Sequence, residues 1–357
     1  MFLSIALSIA SMTVPMNGAE AECDLIIRNG TIYDGLGKKA FAADVAVRGE
    51  KIIAVGALKD FHAKREVDAR GLAVAPGFIN MLSQAQESLI EDGRSQGDIR
   101  QGVTLEVMGE GESMGPLNDK MKEDAKKFQA DIKYDVTWTT LGGYLELLAK
   151  RGVSCNVASF IGAATPRVHE IGYVDRAPTA EELERMKQLV RQAMEEGAMG
   201  VASALIYAPG FYAHTDELIA LAKVAAEFDG MYISHMRSEG NNLAGAVDEF
   251  IRIAREAGIR AEIYHFKAAG KSNWPKLKAA IAKIEAARRS GLRLTADMYT
   301  YVAAQTGLDA TMPPWVQEGG YEAWAERCSV PRTRGKIFIW ERARRIKFCW
   351  WDFVMKN

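Results

Sequence analysis

Two histidines stand at matching places in two neighbouring segments. Ile233-Ser234-His235-Met236-Arg237 and Ile263-Tyr264-His265-Phe266-Lys267 each close a short apolar run with an imidazole. The chain has five histidines, so two at equivalent ends of successive runs form a pattern that needs a reason. Neutral imidazole is the commonest side-chain metal ligand near neutral pH. Two that converge would begin a zinc-type site, whose catalytic form leaves one coordination position open for water or substrate. The competing reading is a pair of hydrogen-bonded histidines with no metal between them. His62, His169 and His214 have no such counterpart, and His62 and His169 read as surface residues.

The elements that must carry these histidines are short apolar runs alternating with helical stretches. Candidate strands lie at 74–81, 103–108, 155–161, 200–204, 231–235, 261–265 and 292–298. Between them, Thr179 begins an N-cap with an acidic first turn, and Leu183, Met186, Leu189, Val190 and Ala193 recur at helical spacing. Stretches 242–257 and 274–289 read the same way. Strand–helix alternation implies a parallel sheet. Seven such strands with no dinucleotide-binding glycine motif predict an α/β protein of the TIM-like (β/α)8 barrel type rather than a Rossmann fold. In a barrel the chemistry sits at the carboxyl ends of the strands, which is where His235 and His265 fall. Ahead of the barrel, alternation in 24–28, 31–33, 44–48 and 51–55, punctuated by Asn29-Gly30 and Gly49-Glu50, predicts hairpins of a small β-sandwich module over residues 22–72.

Composition bounds the class. With 48% hydrophobic and 25% charged residues, the chain is neither disordered nor a polytopic membrane protein. Its four cysteines are widely spaced, which excludes a disulfide scaffold and a cysteine zinc ribbon. The net charge of −1 hides an asymmetry. Residues 329–357 hold eight Lys/Arg against Glu341 and Asp352, a surplus of +6, so the remainder carries −7. Three of the seven tryptophans share that tail. A nucleic-acid or membrane-surface role for the tail is the weak reading, because charge runs are common and the body is acidic. Residues 2–15 are mostly apolar and Ala19-Glu20-Ala21 has a small-x-small pattern. This predicts a signal peptide over 1–21 and a periplasmic or secreted protein, although no Lys or Arg precedes the apolar run; a cytoplasmic protein is the alternative. The run is too short to span a bilayer. The expected organisation is 1–21 leader, 22–72 β-module, 73–328 barrel and 329–357 atypical tail.

A family resemblance emerges from the order of the motifs. The hairpin from Asp24 to Gly35, Val67-Asp68-Ala69-Arg70-Gly71, Ala75-Pro76-Gly77-Phe78-Ile79, Gly102-Val103-Thr104, the segment Ser203 to Ala213, His235-Met-Arg-Ser-Glu-Gly240, His265-Phe-Lys267 and Ala296-Asp297-Met-Tyr299-Thr-Tyr301 follow one another over about residues 24–326. This series resembles the amidohydrolase superfamily, and within it the N-acyl-D-amino-acid deacylases. The resemblance implies zinc-dependent hydrolysis of the amide bond of N-acyl-D-amino acids, with His235 and His265 as metal ligands. It implies a small-molecule N-acyl amino acid as the partner, with Tyr207, Arg237, Tyr299 and Tyr301 where the family holds the substrate. No nucleic acid is expected.

Three departures shape the expectation. The superfamily ends its first strand with His-x-His, whereas Leu82 and Gln84 stand there, which argues for one zinc ion rather than two. The family's strand-two ligand is a cysteine; here Gly109-Glu110-Gly111-Glu112 offers carboxylates, and Glu110, earlier at the strand end, is the favoured ligand. The eighth strand with its catalytic aspartate is not recognisable after about Glu326, so no catalytic base is assigned. The alternatives are an inactive truncated amidohydrolase, or a relative acting on a cyclic amide or a dipeptide.

Overall fold

The computed structural model describes residues 21–343 apart from 302 and 305. Residues 1–20 of the leader expected over 1–21, and Arg344, Arg345, Lys347, Cys349, Trp350, Trp351, Asp352 and Lys356 of the basic tail, lie outside the described residues. The chain divides into two compact units, one ending at Gly77 and one beginning at Phe78.

The first unit is a five-stranded sheet built from β1 (Ala21–Ile32), β2 (Phe41–Arg48), β3 (Lys51–Gly56), β4 (Phe61–Asp68) and β5 (Ala73–Val74). Its order is β3-β2-β1-β4, with β5 also on β1. The β2–β3 hairpin turns where the Gly49-Glu50 signal places it. Asn29-Gly30 does not turn the chain: β1 runs through it as a bulge, with the pairing to β2 shifting between Ile27 and Gly30. Asn29 takes φ 61°, and it is held from both sides, its N–H by Asp44 Oδ1 and its amide by Asp68 Oδ1, both at 2.9 Å. Asparagine tolerates this left-handed backbone better than most residues, so an Asn-Gly pair serves here as an irregularity within a strand.

The second unit is a (β/α) barrel. Its strands are β6 (Phe78–Asn80), β7 (Val103–Met108), β8 (Asn156–Ser159), β9 (Ile161–Gly162), β10 (Gly200–Ala204), β11 (Met231–His235), β12 (Arg260–Ile263) and β13 (Leu294–Ala296). All pair in parallel with their sequence neighbours, as β6-β7-β8 and β9-β10-β11-β12-β13. Only Phe160 separates β8 from β9, so the two are one interrupted strand, and among the described residues the array has seven strand positions in chain order. Val107, Phe160, Ala202, Ile233 and Tyr264 come from five successive positions and pack together inside, each at most 1% exposed. The residues of the opposite strand parity, among them Val201, Tyr232, Ala261 and Ile263, pack outward on the helices. This period-two division is what a strand dictates.

The helices follow their sequence signals. Ala180–Glu195 opens on a complete capping box, Thr179 Oγ1 accepting from Glu182 N–H at 3.2 Å and Glu182 Oε2 from Thr179 N–H at 2.7 Å. Leu243–Ala257 buries Ala246, Val247, Phe250, Ile253 and Ala254 on one face. After β13 the described chain runs through an irregular stretch to about residue 307 and then forms helices, among them Tyr321–Ser329 and Pro331–Ala343; Ile337 packs with Met312 and Val316. Among the described residues no helix is long and apolar enough to cross a membrane.

One buried ion pair ties the helices to a loop. Arg167 on Ala164–Ile171 meets Glu217 Oε2 on Thr215–Ala226 at 2.6 Å, and it donates to the carbonyls of Val174 and Arg176 at 3.0 and 2.6 Å. Both side chains are almost fully buried. Arg167→Leu leaves the buried Glu217 carboxylate without its cation and the Arg176 carbonyl without this donor, while the Val174 carbonyl keeps the Arg176 N–H at 3.1 Å. The substitution is expected to cost about 3–5 kcal/mol of barrel stability, read as a lower urea midpoint.

Candidate metal centre

Three strand ends bring three donor atoms together. Glu110 follows β7 between two glycines that the backbone requires. Gly109 has φ 99°, and a Cβ there would sit 2.3 Å from the Phe160 carbonyl oxygen. Gly111 has φ 71° inside a tight turn closed by Glu112 N–H on the Glu110 carbonyl at 2.7 Å. Glycine alone reaches such conformations cheaply. His235 is the last residue of β11, on the same inward parity as Ile233. His265 lies two residues beyond β12, with φ 38°. A non-glycine residue in this region carries strain of about 1–3 kcal/mol. The Asp297 carboxylate after β13 accepts the His265 N–H at 2.5 Å and holds the distorted backbone.

Glu110 Oε1 lies 3.2 Å from His235 Nδ1 and 3.6 Å from His265 Nε2, and the two rings stand nearly perpendicular with centroids 4.5 Å apart. One ligand atom from each of the three residues falls within 4.8 Å of the other two. The two imidazoles are buried, at 7% and 10% exposure, and Glu110 is slightly more open at 12%. Two imidazoles and one carboxylate are a donor set suited to zinc, and three protein ligands are the number that leaves a position open. The residues therefore fit the cation that the family resemblance implies.

Charge inside the cluster is matched by hydrogen bonding. Burial pushes the Glu110 carboxyl up, but its contacts with His235 and His265 outweigh this and hold it at about 2. Burial pushes His265 down, and the Glu110 and Glu239 carboxylates override that to raise it to about 9. Burial also raises Asp297 above the ordinary carboxylate range.

The remaining expected site residues divide. Tyr207 meets His235 edge-on at 5.6 Å between ring centroids, and its hydroxyl is 2.6 Å from Thr306 Oγ1. Tyr299 lies 6.4 Å from the His265 ring and stacks on the exposed Tyr301 at 4.8 Å. Arg237 turns elsewhere: its guanidinium pairs with Glu249 at 2.9 Å and donates to the carbonyls of Phe211 and Ala213, both at 2.8 Å. Its charge is already matched, and what it visibly holds is the loop after β10. Gln84, at a place where the superfamily has histidine, donates to Glu110 Oε2 at 2.8 Å. Glu112 points to the Tyr173 hydroxyl at 3.4 Å.

Sequence reasoning assigned no role to Glu239, Lys267 or Asp297. Glu239 Oε1 is 2.9 Å from His265 Nδ1 and 2.6 Å from Lys267 Nζ. The available signal was positional: Glu239 and Lys267 lie in the two histidine motifs, and Asp297 in the motif that ends β13.

Comparison with known proteins places this arrangement. No family model matches the sequence. The chain is 34% identical over 290 residues to a D-aminoacylase of Alcaligenes xylosoxydans xylosoxydans, and 33% identical over 288 residues to an N-acyl-D-glutamate deacylase of the same organism. Each match covers 80% of this chain and 59% of the relative. Among solved structures, an N-acyl-D-glutamate deacylase from Bordetella bronchiseptica, complexed with zinc and a phosphonate inhibitor, superposes with a TM-score of 0.71 at 32% identity, covering 78% of this chain and 59% of that one. The chain thus spans about three-fifths of the length of the relatives it matches.

The shifts fix a pH signature for the metal-free chain. His265 is raised from 6.5 to about 9, so its contribution to stability is full below pH 6.5 and is lost as pH rises through about 9. Glu110 is depressed from 4.5 to about 2, so its contribution is full above pH 4.5 and is lost as pH falls through about 2. In NMR titration of the chelator-treated chain, His265 is expected to titrate near 9; a value at or below 6.5 contradicts the geometry.

Proposed function

We propose that this chain, a member of the D-aminoacylase family of amidohydrolases, hydrolyses the amide bond of N-acyl-D-amino acids and holds one zinc ion between Glu110, His235 and His265. The observation that carries the reading is the convergence of a carboxylate and two imidazoles, from the ends of three strands, within 4.8 Å. Zinc bound there supplies Lewis-acid polarisation of a carbonyl and a water acidified toward a pKa of about 7.

The chain's own residues make the site selective. Glu110 and the two histidines provide three donors, so a fourth position stays open to substrate or water. Gln84 occupies the second carboxylate oxygen of Glu110, which favours a single ion over a bridged pair. Tyr207 and Tyr299 flank the imidazoles, and with Tyr301 they offer hydroxyl donors to the carboxylate and amide of a small N-acyl amino acid. Arg237 acts on the substrate through the loop it holds, fixing the segment that carries Tyr207. The activities of the relatives, D-aminoacylase and N-acyl-D-glutamate deacylase, support an acyl-D-amino acid over a cyclic amide.

The test is release of free amino acid from N-acetyl-D- and N-acetyl-L-amino acids by the purified, zinc-loaded chain. Release from the D-series alone is expected, with His265→Ala lowering kcat/KM on the order of 100-fold or more. Equal rates on both enantiomers, or no release from a chain that binds zinc, overturns the proposal.

A further inference from the structure

We infer that Glu239 is a positioning residue of the metal centre: its carboxylate takes the N–H of His265 Nδ1 and so commits the opposite nitrogen, Nε2, to the cation. The inference rests on the metal-centre reading above.

Glu239 comes four residues after His235, in the loop leaving β11. Its Oε1 lies 2.9 Å from His265 Nδ1 and 3.9 Å from His235 Nε2. The other nitrogen of each ring, His265 Nε2 and His235 Nδ1, faces Glu110 Oε1. The two imidazoles are therefore bracketed by two carboxylates, Glu110 on the ligand side and Glu239 behind. A neutral imidazole has one N–H and one lone pair, and an ionised carboxylate can only accept. Facing Glu239, His265 is most stable with its proton on Nδ1, which leaves the Nε2 lone pair for a metal. Carboxylates behind metal-bound histidines act in this way generally.

Lys267 makes the opposite demand on the same atom. Its Nζ lies 3.0 Å from His265 Nδ1 and, as an ammonium, can only donate, which would select the reverse tautomer. The shorter contact decides the contest. Lys267 donates to Glu239 Oε1 at 2.6 Å and to the His265 carbonyl at 3.1 Å. The ammonium is thereby drawn to the carboxylate and the carbonyl, and it fixes Glu239 against the ring. Among the described residues His235 Nε2 is buried with no hydrogen-bond partner, so the carboxylate serves His265 first.

The test uses zinc affinity of the full chain, by chelator competition, and 15N spectra of its histidines. Glu239→Leu is expected to weaken zinc binding about 10–100-fold, and Glu239→Gln less, because the amide oxygen still accepts an N–H. In the zinc-loaded parent, the His265 signal, assigned by its loss in His265→Ala, is expected to show the proton on Nδ1. The inference is overturned if that proton is on Nε2. It is also overturned if Glu239→Leu binds zinc within about twofold of the parent while His265→Ala does not. Should Glu239→Leu fail to fold by circular dichroism, the tautomer of the parent decides alone. A parent that binds zinc no better than His265→Ala removes the metal centre itself, a result separate from a failure of Glu239.

Discussion

Glu110 is a carboxylate largely withdrawn from solvent beside His235, His265 and Gln84, and an isolated buried charge there would cost several kcal/mol. Something positive must stand beside it. In the metal-free chain contacts with His235 and His265 together hold the carboxyl at about 2, and Glu110 and Glu239 in turn raise His265 to about 9, so the proton it keeps supplies positive charge. A divalent cation answers the same need with more charge. It must displace the proton to bind, so cation and proton compete for one set of donors. The rest of the site follows from this competition, including the carboxylate of Glu239 behind the rings and the ammonium of Lys267 that balances it.

The geometry that makes the competition possible is made in the backbone. Parallel strands place their ends side by side, but a regular strand would not aim Glu110 and His265 at one point. Gly109 and Gly111 allow the turn that swings Glu110 inward, and a side chain at Gly109 would strike the Phe160 carbonyl oxygen. At His265 the chain adopts a left-handed conformation and is pinned there by Asp297. Below these ends the inward residues from Val107 to Tyr264 fill the barrel, so the mouth rests on a packed floor.

The barrel strands were legible because most are short apolar runs alternating with amphipathic helices, whereas which residues face inward came from the structure. The pairing of His235 with His265 was legible for the same reason, and Glu110 followed from a resemblance whose strand-two cysteine is absent. What was not legible depended on side-chain direction. Nothing in the residue types says that Arg237 turns to Glu249 and two carbonyls, or that Gln84 reaches Glu110. Asn29-Gly30 reads as a turn by type, whereas the structure has it as a bulge with Asn29 held by Asp44 and Asp68. Glu239 lay inside a recognised motif, but its place behind both imidazoles depends on how the loop after β11 folds back.

The central claim is that Glu110, His235 and His265 are three ligands of one ion. Crystals of the chain soaked in zinc, with diffraction recorded on both sides of the zinc absorption edge, test it most directly. The account predicts one anomalous peak within coordination distance, about 2.0–2.2 Å, of His235 Nδ1, His265 Nε2 and a Glu110 carboxylate oxygen. An empty cluster in zinc-soaked crystals, or a zinc ion held by other residues, would contradict it.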